Sequence, residues 1–129
     1  MAGNLTDTCE NKLLDHILGT ASYTPTGPIK VALITTTTPS TDAAAGSEVT
    51  GGSYARQTLT CGAASAGATS NSGTLTWSAM PACTVGGVEV WDSAGTPVRL
   101  WYGTLAANKT VNSGDTFQIT TGSLTLSLD

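Results

Sequence analysis

Apolar and polar residues alternate with a period of two through much of this chain, the pattern of strands with one buried face. Thr74-Leu75-Thr76-Trp77-Ser78 and Leu124-Thr125-Leu126-Ser127-Leu128 alternate without a break, and Phe117-Gln118-Ile119-Thr120 adds a shorter run. Tyr54, Arg56 and Thr58 alternate with Ala55, Gln57 and Leu59, which predicts a strand from Tyr54 to Cys61 entered through a Gly51-Gly52 turn. Ile29-Lys30-Val31-Ala32-Leu33-Ile34-Thr35 is the most apolar stretch and predicts a central strand. Val85 to Trp91, bent at Gly86-Gly87, and Val98 to Leu105 predict a hairpin around Asp92-Ser93-Ala94-Gly95.

Only residues 4–18 repeat at helical spacing. Leu5, Cys9, Leu13, Ile17 and Leu18 make a narrow apolar stripe, with Asn4 in place as N-cap and Gly19 just past the end. So narrow a stripe predicts packing on a sheet or against a neighbouring subunit. Between the periodic stretches lie segments of Thr, Ser, Ala and Gly. Residues 36–53 form the longest, containing Thr36, Thr37, Thr38, Asp42 and Glu48. A loop of that length in a compact domain is usually functional or mobile. Two readings are open: an arm that orders against a neighbour, and a plain flexible loop. Residues 62–70 read as a second loop, and Asn108 to Asp115 as a polar turn.

Together these elements predict a mainly β fold. We expect about six to eight mostly antiparallel strands in a β-sandwich or jelly-roll-like arrangement, with one N-terminal α-helix. The 129 residues read as a single domain: residues 1–20 carry the helix, and residues 28–129 form the sandwich with its long loop 36–53.

Composition narrows the function. Only 11% of residues are charged and Thr is the commonest, so the surface is neutral and hydroxyl-rich, suited to permanent contacts more than to life as a dilute monomer. Net charge is −4 with no run of Lys or Arg, which excludes the basic face that nucleic-acid binding requires. No apolar run approaches the ~18 residues of a membrane helix. Met1 to Thr8 lacks the cationic and apolar regions of a secretory leader. Cys9, Cys61 and Cys83 are an odd set without a C-x-x-C pair, expected as free and mostly buried thiols of a protein made in a reducing cytoplasm.

Candidate chemistry is sparse. His16, the single histidine, has no nucleophile pattern around it and is expected at the surface. No G-x-S-x-G, H-E-x-x-H or P-loop is present, so no enzyme and no cofactor are expected. Asp115 lacks the D-x-D-x-D-G spacing of a calcium loop. Trp91 and Trp101 flank the predicted hairpin and pair across it in one reading. They are core aromatics in that reading, and a sugar-binding platform if exposed. Arg56 is one of two arginines and lies in mid-strand. It either sits on the solvent face or bonds a nearby loop, or it joins Tyr54 in a contact surface, both residue types being enriched at interfaces.

Gly51-Gly52-Ser53-Tyr54-Ala55-Arg56-Gln57 resembles the strand-entry motif of a family of small tailed-phage virion proteins, many labelled tail fibre and some similar to capsid cement (decoration) proteins. The resemblance takes in Pro28 to Leu33, Val111 to Phe117 and Gly122 to Asp129, and so spans most of the chain. It implies a virion structural protein, in the first place a cement protein on the capsid surface. Its expected partners are the major capsid protein and copies of itself, a trimer before a dimer, with no nucleic acid and no membrane. A tail, baseplate or fibre-associated component, in one form a glycan-binding one, is the alternative. Contacts are expected from Thr36, Thr37, Thr38, Asp42, Glu48, Tyr54 and Arg56, and from Leu5, Cys9 and Leu13 of the helix.

Overall fold

A computed structural model describes residues 3–128. Its strands are β1 (Gly3–Leu5), β2 (Lys30–Thr35), β3 (Gln57–Thr58), β4 (Ala68–Ser70), β5 (Leu75–Trp77), β6 (Cys83–Trp91), β7 (Arg99–Val111), β8 (Phe117–Ile119) and β9 (Thr125–Ser127), and its helix is α1 (Asp7–Ile17). Every strand pairing is antiparallel. The main sheet has five strands in the order β1-β7-β6-β2-β3; β5 pairs with β8 and β4 with β9. The protein is mainly β with one N-terminal helix, as the periodicity predicts.

Register decides which side chains share a face, because directly paired residues point the same way. Val31 lies opposite Val90, Val90 opposite Trp101, and Trp101 opposite Leu5; Leu33 lies opposite Val88. These residues form the inner face. Leu75 and Trp77 of β5, Phe117 and Ile119 of β8, and Leu124 close over it to complete one hydrophobic core. Trp77 and Phe117 meet edge to face, with ring centres 5.8 Å apart. Ala32, Glu89 and Tyr102 share the opposite face with Asn4.

The helix starts later than the apolar stripe predicts. Thr6, not Asn4, is the N-cap: its hydroxyl accepts from the Cys9 N–H at 3.2 Å and donates to the Arg99 carbonyl at 2.6 Å. The same side chain therefore starts the helix and ties it to β7. Asn4 and Leu5 belong to β1 instead, paired with Tyr102 and Trp101. Gly19 does take the left-handed conformation of a C-terminal glycine, at φ +77°.

Four further expectations change. The strand from Tyr54 to Cys61 shrinks to Gln57–Thr58 because the returning loop occupies the edge of β2 that a longer strand would need. The Val49 N–H donates to the Leu33 carbonyl, and the Thr35 N–H to that of Ser47. The second loop contains β4, which pairs with β9. β7 continues past Leu105 to Val111, regaining β6 at Lys109 opposite Val85 after a bulge. Cys61 is exposed, while Cys9 is buried and Cys83 half-buried.

The bend at Gly86-Gly87 falls where the β6–β7 register shifts. A Cβ on Gly87 would stand 2.6 Å from the Gly103 carbonyl oxygen, a backbone atom that cannot move aside. Asp92 closes the hairpin beyond it, accepting from the Val98, Ala94 and Thr26 N–H groups. Burial by itself raises this carboxyl, but the backbone donors more than offset that and hold it below its ordinary value. Gly87→Ala is expected to cost about 1–3 kcal/mol in urea denaturation. Gly95→Ala, with nothing within 4 Å of the new methyl, should stay within about 0.5 kcal/mol. Equal losses at the two positions would contradict the close-approach account.

Candidate functional site

The outer face of the main sheet carries a carboxylate between two valines, Val88-Glu89-Val90, and Glu89 is only 1% exposed. A carboxylate so placed requires a donor at each oxygen. The loop after β2 supplies two: the Ser40 hydroxyl at 2.6 Å and the Gly46 N–H at 2.9 Å, both to Oε1. Trp91 Nε1 donates to Oε2 at 3.0 Å, and Arg99 Nη1 stands 3.4 Å from Oε1. Arg99 then reaches back to the loop, donating to the carbonyls of Thr41 at 2.7 Å and Asp42 at 3.0 Å. The Asp42 carboxylate accepts from the Tyr102 hydroxyl, and this bond raises the phenol above its ordinary value.

A second cluster holds the end of the same loop. Arg56 donates to both oxygens of Glu48, at 2.9 and 2.8 Å, in the planar two-bond geometry that suits a guanidinium. Tyr54 donates to Glu48 at 2.8 Å and accepts from the Leu33 N–H at 2.9 Å. Burial pushes the Tyr54 phenol well up. The Leu33 N–H opposes that rise and the Glu48 carboxylate adds to it. The bond to Glu48 likewise raises Arg56, whose guanidinium lies 4.6 Å above the Trp91 ring. Trp91 therefore links the two clusters, with Arg56 on its face and Glu89 at its N–H.

Of the predicted contact residues, Glu48, Tyr54 and Arg56 come together, and Asp42 joins the neighbouring cluster. Arg56 bonds a nearby loop, which was one of its two readings. Thr36, Thr37 and Thr38 are exposed, with backbone bonds from Thr36 N–H to Thr84 and from Ser47 N–H to Thr38. Within loop 36–53, segment 36–49 lies along its own sheet as a strap, bonded to it through Thr35, Thr36, Ser40, Gly46, Glu48 and Val49. Leu5 packs on the core, Cys9 is the buried residue of α1 and Leu13 is half-buried. The outward stripe is instead Leu14, Ile17 and Leu18, at 52, 70 and 74% exposure. Their i, i+3, i+4 spacing signals this face, and Leu14 lies outside the predicted stripe of Leu5, Cys9, Leu13, Ile17 and Leu18. Glu89 and Arg99 are not among the predicted contact residues; a glutamate flanked by strand valines is the signal that points to Glu89, and Arg99 follows as its partner.

Trp91 and Trp101 do not pair. Trp101 is buried opposite Val90, while Trp91 lies opposite Arg99 on the other face, half-buried beneath Arg56. Trp77 is in the core. No tryptophan offers an open stacking platform. Among the described residues no group of three or more His, Cys, Asp or Glu could hold a metal ion. Glu89 accepts three hydrogen bonds at Oε1 and one at Oε2, all from within the protein.

The family model for podophage GP4 fiber I protein gp80 matches residues 4–127, a span from β1 into β9. The chain belongs to this gp80 family. The resemblance to phage virion structural proteins is therefore correct, and it agrees with the tail-fibre labelling. No curated protein matches the chain. The gp80 match covers the strap, both carboxylate clusters and α1, so these features lie within the family's own unit.

Two measurements test the clusters. Glu89→Ala leaves Arg99 buried and unpaired and is expected to cost about 3–5 kcal/mol, against about 1 kcal/mol for Arg56→Ala at its half-exposed site. Equal costs would contradict the ranking. Tyr54 has a folded pKa above its unfolded value of about 10. The stability it contributes is therefore complete below about pH 10 and declines as the pH rises toward the folded value. Tyr54→Phe should be less stable at neutral pH and lose less on going above pH 10, as read by denaturation at a series of pH values.

Proposed function

We propose that this protein is a non-enzymatic structural subunit of a phage fibre, built to stay attached to the virion. The observation that carries the reading is the match of a fibre family over residues 4–127. The structure is consistent with it. Both arginines are spent on internal glutamates, and the strap that could have reached a neighbour is bound at home. Attachment then falls to surfaces outside the strap, first among them the apolar end of α1 at Leu14, Ile17 and Leu18. The working form is a closed homo-oligomer, a trimer before a dimer, whose copies multiply weak single contacts.

A second reading, a cement protein on the capsid surface, is favoured by the 11% charged composition, which suits a broad neutral contact with a shell. Many copies that bind only the assembled lattice would stabilise it by linkage. In this reading the partner is the major capsid protein.

Virions labelled with gold-conjugated antibody against this protein separate the two. The fibre reading expects label confined to the tail end. Label spread evenly over the head would overturn it in favour of cement, and heads lacking the protein should then burst more readily on osmotic shock. Ile17→Ser with Leu18→Ser should reduce incorporation into virions while leaving the melting temperature within a few degrees, since both residues already face solvent.

A further inference from the structure

The sandwich is open along one side. β7 is 13 residues long, but β1 covers its outer edge only from Trp101 to Gly103, and β6 takes its inner edge. Beyond Gly103 that outer edge has no strand beside it among the described residues. β8 is in the same state: β5 pairs with one edge, and the other borders a groove of about 420 Å³ shared with β7. Apolar side chains of Leu105, Val111, Phe117 and Ile119 line it. A bare strand edge presents a row of N–H and C=O groups that another strand satisfies, and apolar pockets beside it hold alternate side chains.

Two charged residues line the groove, Lys109 on β7 and Asp115 on the turn into β8. Neither belongs to an ion pair among the described residues, where the pairs are Arg56–Glu48 and Arg99–Glu89. The Asp115 carboxylate accepts, among the described residues, from the nearby Asn112 N–H alone, at 3.1 Å. One free cation and one free anion in a single groove are matched by an occupant that carries the same two charges reversed. A second copy of this chain does so without further design, and because the same groove then faces itself the contact closes with two-fold symmetry, which selects the dimer over the trimer.

We infer that the groove between β7 and β8 seats the strand edge of a neighbouring copy, with Lys109 of one copy paired to Asp115 of the next. The inference rests on the homo-oligomer proposed above and names its interface.

Light scattering and sedimentation on the full chain test it, with circular dichroism confirming the fold of each variant. Lys109→Asp and Asp115→Lys are expected each to weaken association by about tenfold or more. The chain carrying both changes presents the same pair in reverse and should recover association near that of the original. An oligomer indifferent to the single changes, or a double variant as weak as the singles, would overturn the groove assignment and leave the homo-oligomer standing. Loss of association in Ile17→Ser with Leu18→Ser, but not in the charge variants, would assign the interface to α1 and overturn it too. A chain that is monomeric at every concentration would overturn both, while the fibre reading stays with the gold label.

Discussion

A buried carboxylate in mid-sheet constrains everything laid over it, and Glu89 is the residue on which this structure turns. Removing a charge from water costs several kcal/mol unless donors replace the lost hydration. Here the donors come from three places: the strap, through Ser40 and Gly46; the same strand, through Trp91; and the next strand, through Arg99. Arg99 in turn needs acceptors and finds them in the carbonyls of Thr41 and Asp42. Each group satisfies another only while the strap stays down. The sheet therefore has an apolar inner face closed by β5 and β8, and a polar outer face closed by a segment with almost no hydrophobic side chains of its own.

The strap's composition obscures this. Residues 36–48 are mostly Thr, Ser, Ala and Gly, with neither a period of two nor one near 3.6. Their order comes from backbone groups bonded to side chains tens of residues away, which local pattern does not encode. Gly46 shows how tight the fit is: a Cβ there would stand 2.5 Å from Ile34 Cγ2 and 2.7 Å from the Thr38 carbonyl oxygen. β4 was hidden for a related reason, since Ala68-Thr69-Ser70 is too small and polar to announce a strand and gains its partner only from distant β9.

Where burial follows hydrophobic pattern, the sequence was legible. Leu75 and Trp77, and Phe117 and Ile119, go into the interior as their alternation predicts, and the continuous apolar run from Val31 to Ile34 is buried on both faces, as a central strand should be. The candidate site was half legible. Tyr54 and Arg56 stand out because arginine is rare in this chain, and their partner Glu48 was among the predicted contacts. Glu89 and Arg99 were passed over because each sits within an apolar strand whose pattern draws attention to its neighbours. The helix misled in a specific way: Leu5 fits the helical stripe by spacing, yet Thr6 caps the helix one residue later and leaves Leu5 to β1.

A fold whose buried carboxylate and both arginines are paired internally suits a part that must persist in a virion, because its exposed apolar residues and open strand edges are then the surfaces left for assembly. That view depends on the strap being part of the fold. Amide hydrogen exchange read at Thr35, Gly46, Ser47 and Val49 tests it most directly, since their N–H groups bond Ser47, Glu89, Thr38 and Leu33 in turn. The account predicts protection of all four close to that of the β2–β6 core, with Gly46 and Ser47 losing theirs in Glu89→Gln. Fast exchange at Gly46 and Ser47 in the unaltered protein would show a loose loop and contradict it.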